Sequence, residues 1–143
     1  MVGILVVSHG RLADALISLV QSLVGNLEKI REVSIWSKDR EEEVKGLIRK
    51  KIAEVDDGDG VVILTDILGG TPTNISLSFL KNEKVEVVTG VNVPMLVTLS
   101  SYRTGRSLRE IGKMVKKSGR RSIILAKEVF GLKRRMSLRD RNV

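Results

Sequence analysis

The sequence predicts an α/β fold, a doubly wound open sheet of four parallel strands with helices on both faces, and three observations carry that prediction. Short aliphatic runs rich in Val and Ile alternate with longer amphipathic segments along most of the chain. The runs Val2 to Val7 and Val61 to Leu64 are apolar almost without a break, the pattern of strands buried on both faces in a parallel sheet. Polar, glycine-bearing turns follow both runs, at the carboxyl ends where such sheets gather ligands and chemistry.

Each element follows in order. Ser8-His9-Gly10 breaks the first strand. Leu12, Ala15, Leu16, Leu19, Val20, Leu23 and Val24 then recur at three- and four-residue steps, a helical stripe that Gly25 stops. Val33-Ser34-Ile35-Trp36 alternates in part and reads as a weaker second strand. Asp39 to Val55 opens with an acid-rich turn and carries Val44, Leu47, Ile48 and Ile52 on one helical face, before Asp56-Asp57-Gly58-Asp59-Gly60 turns the chain. The third strand, Val61 to Asp66, leads through Ile67-Leu68-Gly69-Gly70-Thr71-Pro72-Thr73-Asn74 into a short helix reaching Phe79-Leu80. Val85 to Val88 is the fourth strand, and Pro94 opens the next helix after a loop. Leu108, Ile111, Met114 and Val115 mark a helix from Ser107 to about Lys117, with Gly119 as its stop. Ser122-Ile123-Ile124-Leu125-Ala126 reads as a short final strand. One domain over residues 1–126 and a basic tail over 127–143 account for the chain.

Composition narrows the chemistry. With no cysteine, disulfides, thiolate nucleophiles and Cys-rich metal sites are excluded, and a single histidine excludes multi-His metal sites. No metal or other cofactor is called for. The apolar run at the N-terminus is far shorter than the roughly 20 residues of a membrane span and lacks a basic leader, so a cytoplasmic protein is expected. The net charge of +8 is uneven: residues 1–118 hold 17 Lys/Arg against 15 Asp/Glu, and 119–143 hold 8 against 2. A basic terminus raises nucleic acid or an anionic surface as a partner, but no aromatic-interleaved basic strand or zinc-finger pattern accompanies it, which disfavours nucleic acid.

Two turns carry the candidate chemistry. His9 ends the first strand, where its ring projects from the sheet edge; a neutral imidazole is a competent nucleophile near pH 7. The other turn joins Asp66 to Gly69-Gly70-Thr71-Pro72 at the end of the third strand, where adjacent glycines let backbone amides converge on an anion and Thr71 adds a hydroxyl. An ordinary turn capped by Thr71 or Thr73 would have the same local sequence. If the first and third strands are neighbours, His9 and Asp66 emerge together, and a carboxylate accepting from Nδ1–H leaves Nε2 as the nucleophile. The Gly69 and Gly70 amides with the Thr71 hydroxyl would then stabilise the oxygens of a phosphoryl group in transfer. No Walker Gly-Lys-Ser/Thr sequence is present, so nucleotide hydrolysis is disfavoured.

The combination of Val6-Val7-Ser8-His9-Gly10, Thr65-Asp66-Ile67-Leu68-Gly69-Gly70-Thr71-Pro72-Thr73-Asn74 and Thr89-Gly90-Val91-Asn92-Val93-Pro94-Met95-Leu96 resembles the mannose/fructose-type IIA component of the bacterial phosphoenolpyruvate-dependent sugar phosphotransferase system, over roughly residues 1–126. The resemblance implies a phosphotransferase component that accepts a phosphoryl group from the histidine phosphocarrier HPr and passes it to a IIB protein. It also implies a homodimer whose C-terminal strand, here Ser122 to Ala126, exchanges between subunits. On this resemblance His9 matches the phosphorylated histidine, Asp66 its partner acid, and Thr71 a hydroxyl on the phosphoryl group that many relatives supply from Ser. The chain lacks the linker and fused IIB domain of some relatives, which implies a separate acceptor, and the family pattern gives the basic tail no role. That tail could meet an acidic partner, dock near a membrane permease or remain solvated. Three other readings compete: a regulatory module that binds a kinase or transcription factor according to its phosphorylation state, a nucleic-acid binder acting through the tail, and the phosphocarrier subunit of dihydroxyacetone kinase. The Gly69-Gly70-Thr71-Pro72 turn fits the sugar-transport branch better than the last.

Overall fold

The computed structural model describes residues 1–131. In chain order its elements are β1 (Gly3–His9), α1 (Leu12–Val24), β2 (Ile30–Ile35), α2 (Glu41–Val55), β3 (Val61–Thr65), α3 (Thr71–Leu77) with a 3₁₀ turn at Ser78–Lys81, β4 (Val85–Thr89), α4 (Val93–Tyr102) and α5 (Leu108–Arg121). The four strands form one sheet of order β2-β1-β3-β4, every pair parallel. The winding reverses between β1 and β3, so their carboxyl ends flank the topological switch point.

The unbroken apolar runs have the expected cause. Ile4, Val6, Val62 and Leu64 face α1, α4 and α5, while Leu5, Val7, Val61 and Ile63 face α2 and α3, with both sets wholly buried. At about 1.5–3 kcal/mol for each large aliphatic side chain removed from water, β1 and β3 are the anchors of the domain. At the opposite end of the sheet from the switch point, Arg103 is buried and donates from its guanidinium to the carbonyls of Val2 (3.2 Å) and Glu28 (2.6 Å). Burial lowers its pKa, against the raising effect of Glu28. No helix among the described residues is long and apolar enough to cross a membrane.

Three expectations need correction or refinement. Of the predicted α1 stripe Val20 is buried and Leu16 packs against the core, but the other buried positions are Ala13 and Ile17, and Leu12, Leu19 and Leu23 are 44%, 47% and 63% exposed. Leu12 and Leu19 each precede an inward residue by one position, a rotation of about 100° round the helix, so the leucines form a second apolar stripe beside the packed one.

Gly119 does not stop α5, which runs on to Arg121. Its missing side chain instead makes room for Met95, and its carbonyl accepts from Asn92 Nδ2 at 3.3 Å. The start of α5 is fixed by a reciprocal cap, in which the Ser107 hydroxyl accepts from Glu110 N–H (3.3 Å) and the Glu110 carboxylate from Ser107 N–H (2.8 Å).

Residues 122–126 pair with no strand in the single chain: Ser122 is in a turn, 123–125 are irregular, and a helical segment occupies 126–131. A strand requires a ladder partner, and no backbone of the same described chain lies alongside this one. Ile123, Ile124 and Leu125 are left 82%, 63% and 64% exposed. The tail 127–143 lies outside the described residues beyond position 131.

Candidate active site

His9 is the last residue of β1, and its main chain is held from several sides. The wholly buried Ser8 accepts from Ala13 N–H at 2.8 Å and donates to the His9 carbonyl at 3.2 Å, tying the strand end to the first turn of α1. Gly10, at φ +54°, donates its N–H to the Ile35 carbonyl at the end of β2 (2.9 Å). The ring itself stands 53% exposed above the switch point.

Asp66 follows β3 directly and reaches across to it. Its Oδ2 accepts from the His9 main-chain N–H at 2.8 Å and lies 2.7 Å from Nδ1, while Oδ1 accepts from Ile67 N–H at 2.9 Å. Burial raises the Asp66 carboxyl pKa, but the hydrogen bonds from His9 and Ile67 outweigh it, and the net shift is below the ordinary carboxylate value. An ionised carboxylate can only accept, so the ring proton belongs on Nδ1 and the lone pair on Nε2.

The glycine turn closes over the ring. A Cβ on Gly70 would stand 2.8 Å from His9 Cε1 and 3.5 Å from Nε2, so only a glycine allows this loop against the imidazole. Gly69 supplies the left-handed corner at φ +86°. The Gly70 N–H is directed back to the Ile67 carbonyl at 3.3 Å, so the pair of amides expected to converge on a ligand is partly used inside the turn. Thr71 is the first residue of α3, exposed, and lines a cleft of about 310 Å³ together with His9, Ile35, Trp36, Asp39 and Ile75. Of the residues singled out from sequence, His9, Asp66, Gly70 and Thr71 are therefore brought together, with Gly69 shaping the loop that holds them.

Two supporting groups were not legible as part of the site. Thr73 is wholly buried and donates to the Ile67 carbonyl at 2.6 Å. Its oxygen is 2.7 Å from that of Thr65, which must be the donor of that second bond because the single Thr73 proton is already used. The Asp66–Gly70 loop is thus fastened to the end of β3 and to α3. The other is Trp36, 46% exposed and lining the cleft, whose main-chain N–H donates to Asp39 Oδ2 at 2.7 Å. In the sequence Thr73 reads only as an alternative helix cap, and Trp36 only as the last residue of the second strand.

The geometry offers an outward imidazole lone pair, a carboxylate to balance positive charge on the ring, and Thr71 lining the same cleft. Known proteins share the arrangement of the chain. The family model for the PTS system fructose IIA component matches residues 3–116. The mannose-specific EIIAB component of Escherichia coli K12 is 29% identical over 124 residues, covering 85% of this chain and 38% of that protein, so the chain spans well under half of that relative's length. Among solved structures, the PTS IIA protein associated with the fucose utilization operon of Streptococcus pneumoniae is 30% identical with a TM-score of 0.78, covering 90% of this chain and 95% of that one. The phosphotransferase system component EIIA from Streptococcus agalactiae shares the fold at a TM-score of 0.81 and 23% identity, over 90% and 99% of the two chains. With that match running through both strand-end turns, the chain belongs to the mannose/fructose-type IIA family of the sugar phosphotransferase system.

Proposed function

We propose that residues 1–126 form a cytoplasmic phosphocarrier domain that takes a phosphoryl group from phospho-HPr onto His9 Nε2 and passes it to a IIB protein. The observation that carries this reading is the 2.7 Å contact between His9 Nδ1 and Asp66, which assigns the lone pair to the exposed nitrogen. In the transfer, the Nε2 lone pair attacks phosphorus in line with the donor's P–N bond. That bond breaks and its electron pair returns to the donor imidazole. The His9 ring becomes positively charged while it holds the group, and the Asp66 carboxylate balances that charge. Thr71 lies within the same cleft as a donor to a phosphoryl oxygen, and Gly70 keeps the approach to Nε2 free of a side chain. Discharge to the acceptor is the same displacement with the roles reversed, so no metal or cofactor enters either step.

The reading includes a homodimer in which Ser122 to Ala126 pairs with a second copy. It is supported by three consecutive aliphatic side chains left in water in the single chain. The carrier function is tested by incubating the chain with phosphoenolpyruvate, enzyme I and HPr, then measuring intact mass. One acid-labile, base-stable phosphate is expected, placed on Nε2 by NMR and absent from His9→Ala. No mass increase in the parent chain would end the proposal. Labelling without discharge to any IIB protein would retain the carrier step and replace transport with a regulatory role.

A further inference from the structure

The charge of the described chain is concentrated on one helix. Residues 1–107 carry 13 Lys/Arg against 14 Asp/Glu, whereas α5 carries Arg109, Lys113, Lys116, Lys117, Arg120 and Arg121 against Glu110 alone. Among the described residues, none of these six cations is in an ion pair. At 100° per residue they fall within an arc of about 140°, opposite the face that Ile111, Val115 and Gly119 bury. Elsewhere the two signs nearly balance, and some cations are paired, as Arg31 and Lys51 are with Glu54, so what sets α5 apart is an excess of one sign on one face.

We propose that the outer face of α5 docks on an anionic phospholipid surface. Charge complementarity selects an anion, because six like charges on one helix face repel one another and are relieved by a dense negative surface. The form of the face selects among anions. The cations spread over a broad arc of a 14-residue helix and line open, shallow grooves, which suits a laterally continuous layer of headgroups. The chain beyond α5 adds Lys127 and a 67% exposed Phe130, an apolar side chain of the kind that enters an interface beside basic residues. Nucleic acid is less well matched, since none of the exposed positions of α5 is aromatic and no stacking platform lies within the arc. Docking would leave the fold untouched, since none of the six cations is among the residues packed in the core.

The proposal is independent of phosphoryl transfer and is tested without it. The full chain is floated with vesicles of phosphatidylglycerol and phosphatidylcholine, or of phosphatidylcholine alone. Binding is expected only with phosphatidylglycerol and is lost at about 0.5 M salt, where screening acts within a few ångströms. The triple variant Lys113→Glu, Lys117→Glu, Arg120→Glu is expected to lower binding at least about tenfold. Lys113→Arg with Lys117→Arg, which keeps the charge, should retain it, and circular dichroism shows whether each variant is folded. Equal binding by the folded charge-reversed variant would place the attraction outside α5 and overturn the proposal. So would binding to neutral vesicles that ignores salt, failure of the parent chain to bind phosphatidylglycerol, or complete displacement of vesicles by duplex DNA at matched charge concentration.

Discussion

Gly70 lies against the His9 ring so closely that its missing Cβ would fall 2.8 Å from Cε1. The ring is gripped by Asp66 at Nδ1, so it cannot swing away without giving up that 2.7 Å contact. Gly70→Ala therefore forces either the loop or the imidazole to move. Phosphorylation of His9 by phospho-HPr is expected to slow at least about tenfold, because positioning accounts for much of the rate in such transfers. The stability cost is expected to stay within about 1–3 kcal/mol, as for other overpacked sites. Rapid-quench labelling beside a urea melt separates the two effects, and an unchanged labelling rate would show that the loop yields freely.

Asp66→Asn tests the tautomer. The carboxamide can still accept from one N–H but no longer balances a positive ring, so transfer is expected to fall on the order of a hundredfold, within the range of positioned acid–base groups. Nitrogen NMR of the imidazole should show the proton leaving its fixed place on Nδ1.

The same carboxylate makes stability depend on acid. Its pKa is lower folded than unfolded, so the unfolded chain binds the proton more readily. Its contribution is complete above the ordinary Asp value of about 4 and fades as pH falls through the lower folded value. In urea melts of the parent chain and Asp66→Asn, the stability gap is expected to be constant from neutral pH to about pH 5 and to shrink below about pH 4. A gap that widens in acid would reverse the assignment.

Thr73→Val keeps the shape of a buried side chain but leaves the Ile67 carbonyl and the Thr65 hydroxyl without their partner. A loss of about 1–3 kcal/mol is expected from those unsatisfied groups. Thr73→Ser, which keeps the hydroxyl, should recover most of the labelling rate even where stability stays reduced. Parallel loss of rate and stability in the serine variant would assign Thr73 to packing alone.

Two helical glycines give opposite signs. Gly46 in α2 is exposed with nothing near its missing Cβ, so Gly46→Ala is expected to stabilise by about 0.5–1 kcal/mol. In Gly119→Ala the same helical gain meets Met95 and Asn92, and an overpacking cost of about 1–3 kcal/mol cancels or exceeds it. Thermal melts of the two variants check the pair.

The parts of this molecule legible in the sequence were those where one residue type has one physical use. An aliphatic run broken by Ser8-His9-Gly10 can scarcely be other than a buried strand with a polar end, and His9 and Asp66 emerged together once β1 and β3 were neighbours. Patterns that admit two solutions were not legible. Leu12, Leu19 and Leu23 make as good a stripe as Ala13, Ile17 and Val20, and only the packing of α1 on the sheet decides which of the two turns inward. Gly119 has the chemistry of a helix stop and is used as a gap for Met95. Thr73 reads as a cap and becomes a buried link, because hydrogen bonds between distant segments leave no periodic mark. Residues 122–126 have strand composition, but composition cannot supply the neighbour that makes a strand.

β1 and β3 pair in parallel from Gly3 with Val61 to Val7 with Thr65. His9 lies two residues and Asp66 one residue past the last pair of that ladder, which holds the strands about 4.8 Å apart. The short stretches past the ladder are tied down in turn, at β1 by Ser8 to Ala13 and at β3 by Thr73 to Thr65 and to the Ile67 carbonyl. On slow heating, the temperature at which the chain stops accepting phosphate should coincide with that at which its helical signal collapses, with no interval in which an intact domain has lost its chemistry.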